Sequence, residues 1–598
     1  MRRLLEKTGF GLSVERVLLR FASAWCLVVT CALFWVEVPF DQLLFVSSVN
    51  LIEFGAFVIA AFFLLTAISA FFDYNVDALV LGASLLVLGI VAAALRRDFY
   101  FALGILVLFI GVGYYLMRDD KLKLTSFVLS RRLMIAGIAA GGVLFVAFVG
   151  GLTSLRYLNY HTSTYDFGIF IQMFHYMKET GLPITTCERT TELSHFAVHL
   201  SPIFYLLLPG YWLFPSPVYL QVMQAVVLAV GLVPLYLLAR RFEFGNKVTL
   251  AVCLVYCFYP AIAGGCFYDI HENFFLTPLL LFLFYFMEKK DWKWIYVFAV
   301  LTFMVKEDAP LYVACIALYL LVSRKEYFHG TALLAVSILY FVGAGMFLQS
   351  FGEGANALNG RLGNYMSDPQ HGLMGIFKTI FVDPQYVINE VFKPDKVIYI
   401  LAMLLPLAFL PVISRKLSQL VLIIPFLVIN LMSNYPYMIN LSFQYHFGSA
   451  ALLIYLFVVN LSGMKRPTQR FVAPFAVAAS IVLFVTVLYG YTDNIKTYID
   501  GAETREQLNQ ILDAIPEDAS VQASGFLLPR LSQRRVIYDV GYNNAPGRTP
   551  LETEYVVLDM RGSGAVAEAK THMERYESRG YTRVVEQDGL VLILRAPQ

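Results

Sequence analysis

Charge is scarce in this sequence. Asp, Glu, Lys and Arg make up 15% of its 598 residues and sum to a formal net charge of +2, while 58% of the residues are hydrophobic. With a mean hydropathy of +0.65, this excludes a string of soluble domains, in which about a quarter of residues are charged. Nor does it imply a nucleic acid partner. Cysteine is sparse too. The seven present show no metal-ligand spacing, and Cys253 and Cys257, inside an apolar run, read as small packing residues. Cys187 and Cys266 both fall in segments assigned below to the outer side, which leaves a disulfide open. The basic start leads into a long apolar run with no clear small-residue cleavage site, so it reads as an uncleaved first span.

What the chain has in abundance is apolar sequence in lengths that cross a hydrocarbon core of about 30 Å as helices. Candidate spans fall near 19–37, 54–72, 77–95, 99–117 and 133–152, then 216–238, 247–263, 273–287, 293–306, 309–323 and 330–349, then 397–413, 418–433, 444–462 and 471–490. This predicts an α-helical polytopic membrane protein of about fifteen transmembrane helices, with its termini on opposite sides. Basic clusters choose the orientation. With Arg2, Arg3, Lys7, Arg16 and Arg20 inside, the clusters at 121–132, 240–247, 289–293, 324–325, 415–416 and 465–470 also fall inside, and only Arg96 and Arg97 dissent. The expected location is the cytoplasmic (inner) membrane, with the N-terminus cytoplasmic.

That orientation places five polar segments outside: 165–202, Phe267–Phe274, Lys306–Asp308, 350–396 and the stretch ending at Phe447. Ionisable groups at membrane depth are costly and commonly line a cavity, so these segments are expected to converge on one external site. Three regions follow. Residues 1–130 form an N-terminal bundle of about four spans with no assigned chemistry, and 131–491 form the transmembrane core. Residues 492–598 alternate helical and strand patterns, including a hairpin turn at Asp588 and Gly589, and read as a small extracytoplasmic α/β domain. Removing 501–598 is expected to leave the core folded.

Asp166, in YDFGIF beside Tyr165, sits at the end of a post-span segment among aromatics that suit an interfacial helix. Its carboxylate could serve as a base near the headgroup plane or simply start a helix. Glu192, His195 and His199 stand at i, i+3 and i+7, one face if the segment is helical, where a divalent cation could be held. A hydrogen-bonded interfacial pair fits the same residues. Asp269, His271 and Glu272 in FYDIHENF, and the Lys306, Glu307, Asp308 triplet in a turn between short spans, suit binding of a sugar or phosphate. Arg361 and His446 are single residues at span edges that gain weight by sharing the outer face.

The ordered set YDFGIF, HFAVHLSPIFYLLLPGYWLFPSPVYLQ, YDIHENFFLTPLLL, VKEDAPLY and QYHFGSA, with SVQASGFLLPRLSQRRVIYDV and YVVLD in the tail, resembles a prokaryotic membrane family called domain of unknown function 2079 over roughly residues 131–560. That family is similar in layout to the GT-C glycosyltransferases, so the resemblance implies a GT-C-like core, a polyprenyl-phosphate sugar donor, and a catalytic carboxylate in the first external loop. Asp166 matches that position. The usual second acid beside it is missing, since Phe167 follows.

The reading that unites these features is an inverting transfer of a sugar from a polyprenyl-phosphate donor to an acceptor at the outer face. Asp166 would deprotonate the acceptor, and Lys306, Arg361 or a histidine would stabilise the departing lipid phosphate. The sequence requires no cofactor. A transporter or flippase would call for charges deep within spans and on both sides, with internal repeats; the span interiors hold few charges, and the external clustering is one-sided. A metal-dependent hydrolase rests on His195 and His199 alone.

Overall fold

The computed structural model describes residues 14–35, 43–71, 75–117, 128–162, 166–352, 357–366, 372–414 and 416–597. Among these, nine helices are long and apolar enough to cross a membrane, with three shorter apolar helices at Phe99–Tyr115, Trp292–Phe303 and Pro310–Arg324. The chain is thus an α-helical polytopic membrane protein that carries a small C-terminal sheet domain. It divides into two compact units. The first holds Met1–Gly137, Phe244–Val255 and Gly463–Gly490, and the second holds Ile138–Glu243, Tyr256–Ser462 and Tyr491–Gln598.

In the first unit, α1 (Val14–Trp35), α2 (Leu51–Ser69), α3 (Val76–Arg96) and α4 (Phe99–Met117) are joined by Arg466–Leu488. Local chemistry fixes where two of them begin. Asn50 Oδ1 accepts from the backbone N–H of Ile52, and Asn75 Oδ1 from that of Ala78, satisfying amide groups that a helix start leaves without partners. Small residues, Ala24 on α1, Ala61 on α2 and Ala92 and Ala93 on α3, are buried and let backbones approach closely. Arg20, counted from the sequence with the basic inner flank, is instead buried. Its guanidinium forks onto Asp77 and donates to Thr66 and Ser69, so the pair fixes the register of three helices.

In the second unit, several expected spans are shorter or broken. The helices at Leu276–Lys289, Trp292–Phe303 and Pro310–Tyr319 have 14, 12 and 10 residues. The expected span at 397–413 stops as an α-helix at Leu404, just before Pro406, and 418–433 resolves into a 3-10 turn and a π turn. Proline removes a backbone donor and clashes with the preceding turn, which explains the first break.

After α5 (Arg131–Leu158), the helix α6 (Asp166–Thr180) opens the first polar segment. An interfacial helix was expected, with one face in water. Instead nearly the whole of α6 is buried, because the C-terminal domain packs on it. That domain is a five-stranded sheet. With β1 (Ile184–Thr185) and β2 (Leu193–Ser194) forming a small hairpin in the first polar segment, the sheet strands are β3 (Val521–Ala523), β4 (Ile537–Asp539), β5 (Tyr555–Asp559), β6 (Thr582–Gln587) and β7 (Val591–Arg595), ordered β4-β3-β5-β7-β6. β3 runs parallel to β4 and β5, and β7 lies antiparallel between β5 and β6. The β6–β7 hairpin turns at Asp588 and Gly589 as the sequence predicts, with Gly589 at φ +69°.

The joint between α6 and the tail is both apolar and polar. Ile169 and Cys187 share one core with Leu512, Val521, Leu528 and Ile537. Gln172, fully buried, saturates its amide. Oε1 accepts from Thr185 Oγ1 and the Thr186 and Cys187 backbones, and Nε2 donates to Thr186 Oγ1 and the Arg535 carbonyl. Thr186 Oγ1 then exchanges bonds with Ile537 N and O at 3.0 and 2.9 Å. The tail is therefore part of what holds the first polar segment, and the expectation that the core stands without 501–598 is revised: removal would strip cover from α6. Gly168 is the contact point, where a Cβ would lie 1.9 Å from Leu528 Cδ2 and 2.8 Å from Ser532 Oγ. Gly168→Val is expected to cost about 1–3 kcal/mol by overpacking and to loosen the tail, read as faster protease cleavage near Gly501 in detergent. An unchanged cleavage rate would show that the joint tolerates the added bulk.

Candidate active site

Asp166 begins α6 and is half-buried, with Oδ2 accepting from the Tyr268 hydroxyl at 2.6 Å. The Tyr268 ring stacks on His271 at 5.1 Å, and His271 meets Phe170, one turn along α6 from Asp166, at 4.9 Å. These contacts depend on an unusual backbone turn. Asp269 has φ +71° and ψ −177°, a conformation that costs a non-glycine residue on the order of 1–3 kcal/mol. Its side chain is held in return: Oδ1 accepts from Gln221 Nε2 at 2.8 Å and lies 3.7 Å from Arg156 Nη1, and Arg156 also donates to the Phe267 carbonyl. Burial raises the Asp269 pKa, and Arg156 and Gln221 only partly offset this. The His271 pKa is lowered, chiefly by burial, so this imidazole is neutral near pH 7.

Beyond the turn, Glu272 and Lys306 form a buried pair at 2.6 Å. Burial alone would neutralise both. Lys306, with His199 and His271, outweighs it and holds the Glu272 carboxyl far below its ordinary range, while Glu272, with Glu307 and Asp308, holds the Lys306 ammonium above its own. Both stay charged. The first polar segment adds two more pairs, His195 Nδ1 to Glu188 Oε2 at 2.9 Å and His199 Nδ1 to Glu307 Oε1 at 3.0 Å, with the two imidazoles 6.0 Å apart. Burial pushes the His195 ring toward neutrality, but Glu188 prevails and raises its pKa; in turn His195 overcomes the burial of Glu188 and lowers that pKa. The Leu200 N–H donates to Glu307 Oε2 at 3.2 Å.

The structure thus gathers Asp166, Asp269, His271, Glu272, Lys306, His195, His199 and Glu307 into one polar cluster. Asp308 is partly buried beside it, and its pKa is raised, first by burial, with Lys306 and Arg361 opposing. Arg361, half-buried, lies over the Tyr445 ring at 5.3 Å. Two expectations change, and one residue is not described. Tyr165 lies outside the described residues. Glu192 does not share a helical face with His195 and His199, because this stretch forms β2 and a three-residue 3-10 turn rather than an α-helix, and Glu192 is exposed. His446 is fully buried and does not reach the accessible surface. Cys187 and Cys266 are both buried free thiols.

Sequence reasoning also missed residues. Glu188 precedes His195 by seven positions, a spacing that only the β1–β2 hairpin closes, with Ile184 opposite Ser194. Arg156 and Gln221 sit at the edges of apolar runs, where they resemble interface anchors. Tyr268 stands inside FYDIHENF, but nothing in one dimension aims its hydroxyl at Asp166.

A family model described as "Predicted membrane protein (DUF2079)" matches residues 156–592. The chain belongs to the DUF2079 family. The DUF2079 match begins at Arg156, ends within β7, and so takes in the polar cluster and nearly all of the sheet domain while leaving out α1 to α4. No curated protein matches the chain. Two crystal structures of ArnT from Cupriavidus metallidurans are similar to it. The one bound to undecaprenyl phosphate has 12% identity and a TM-score of 0.45, covering 76% of this chain and 99% of that one. The apo form has 13% identity and a TM-score of 0.40, covering 77% and 100%.

Among the described residues no group of three or more His, Cys, Asp or Glu side chains is arranged to hold a metal ion. No step below is routed through a metal.

Proposed function

We propose that this protein transfers a sugar from a polyprenyl-phosphate-linked donor to a hydroxyl acceptor at the outer face of the cytoplasmic membrane. The observation that carries the reading is the placement of Asp166, a half-buried carboxylate with one oxygen engaged at 2.6 Å by Tyr268, whose ring stacks on His271. One oxygen is oriented and the other remains to accept a proton, the arrangement a general base requires. The acceptor hydroxyl gives its proton to Asp166 as its oxygen attacks the anomeric carbon. The bond from that carbon to the phosphate oxygen breaks, with inversion, and the electron pair leaves with the lipid phosphate.

The geometry separates the two cations that the sequence offered for that phosphate. Lys306 is buried and committed to Glu272, so its charge is already balanced. Arg361 stacks on Tyr445, and among the described residues its guanidinium meets no carboxylate or carbonyl at hydrogen-bond distance. A fork with donors to spare is well matched to a phosphate. We assign the leaving group to Arg361 and a positioning role to Lys306.

Mass spectrometry of lipid carried through purification tests this reading. A polyprenyl phosphate is expected with the native protein and at least ten-fold less with Arg361→Gln at equal, monodisperse yield. Recovery of bulk phospholipid alone from the native protein would overturn it.

A further inference from the structure

From the carboxylate proposed as the base, aromatic rings lead outward one against the next. Tyr268, bonded to Asp166, lies 4.1 Å from Phe443 between ring centroids; Phe443 lies 4.4 Å from Tyr437; Tyr437 lies 5.0 Å from Tyr435; and Tyr435 lies 6.0 Å from Tyr445, over which Arg361 is placed. The series is not core packing. Tyr435 and Tyr437 are 39% and 42% exposed, Asn434 to Tyr437 are all exposed, and Phe443 and Tyr445 are half-buried.

Aromatic residues at a membrane boundary often serve as interfacial anchors. Such anchors need no contact with one another, and nothing connects them to a buried polar cluster. Here five rings form a continuous series that joins the base to the cation. Their faces are apolar, and four of the five carry a hydroxyl at the rim. That pairing of flat apolar face and polar edge is complementary to a pyranose, which presents C–H bonds on its faces and hydroxyls around its edge. A phospholipid chain would use the faces and leave the hydroxyls idle.

We propose that this ladder is a carbohydrate-binding platform and that the acceptor is a glycan, with a sugar ring on Tyr435 and Tyr437 and the reactive hydroxyl presented at Asp166. This deepens the glycosyltransferase reading and rests on it for the identity of the acceptor. The outer, exposed rings suit a chain that arrives from the aqueous side.

In-cell photocrosslinking in the native host tests it, with Tyr437→p-benzoyl-phenylalanine in the full chain and Tyr100→p-benzoyl-phenylalanine, at an exposed ring of α4, as the control. The expected adduct is labelled by periodate oxidation and hydrazide capture, at least ten-fold above the control, and persists when Asp166→Asn is added. A Tyr435→p-benzoyl-phenylalanine chain serves if the first variant is not monodisperse. Adducts of phospholipid alone would make the ladder an interfacial belt, and protein adducts alone, or none from folded protein, would equally overturn the platform. A carbohydrate adduct together with full transfer by Asp166→Asn would keep the platform and remove the base, so the two readings fail separately.

Discussion

Asp166→Asn is expected to lower sugar transfer by about 10²- to 10⁴-fold, the usual contribution of a positioned general base, with the protein still in the membrane and monodisperse in detergent. Asparagine keeps the size of the side chain and can still accept from Tyr268, so the start of α6 need not move. What it loses is the second oxygen as a proton acceptor. Donor-lipid binding is expected to stay within about two-fold, because the residue acts on the acceptor. Tyr268→Phe separates orientation from basicity. It leaves the carboxylate but removes the 2.6 Å bond, and is expected to reduce the maximal rate about ten-fold, in line with the loss of one charge-assisted hydrogen bond. Transfer by Asp166→Asn at the native rate, measured with a labelled polyprenyl-phosphate sugar, would exclude Asp166 from the chemistry.

The second large effect is one of stability. In Lys306→Met the Glu272 carboxylate remains buried without the cation bonded to it, and breaking a buried pair from one side costs about 3–5 kcal/mol. That is a large fraction of the roughly 5–15 kcal/mol that keeps a typical domain folded. The Glu272 side chain is 1% exposed, and its Oε2 has no hydrogen-bond partner to share the burden. Lys306→Met is therefore expected to accumulate poorly and to unfold at lower temperature. Lys306→Met combined with Glu272→Gln removes both charges and should recover most of that loss. If the single variant is as thermostable as the native protein in size-exclusion thermal-shift measurements, the pair is not the strut described here. If the double variant recovers stability and also full transfer, Lys306 has no positioning role.

Much of the arrangement could be read from residues in order. Apolar run lengths announced a polytopic chain, and the shift to alternating short patterns after Thr492 announced the sheet domain with its Asp588–Gly589 turn. YDFGIF, FYDIHENF and the Lys306 to Asp308 triplet supplied most of the polar cluster, since ionisable residues between apolar runs are few enough to stand out. Helical periodicity misled at Glu192, His195 and His199, where two-residue strands and a 3-10 turn are too short to leave a periodic signature. For α6 the helix itself was legible, but its aromatic residues suited an interfacial position and gave no sign of the domain that buries it. The partner, Leu528 on a chain segment some 360 positions away, has no local trace.

The sequence by itself determined that this protein lives in a membrane, where its polar segments fall between spans, and that its tail alternates helices and strands, because each of these follows from composition and short-range periodicity. Only the tertiary structure decided which charges cancel. It gave Lys306 to Glu272, His195 to Glu188 and His199 to Glu307, and it set Tyr268 on Asp166 and Arg361 over the Tyr445 ring. The physical reason is that an ion pair or a hydrogen bond depends on separations of about 3 Å, and those are fixed by chain segments that meet across distances no local pattern encodes.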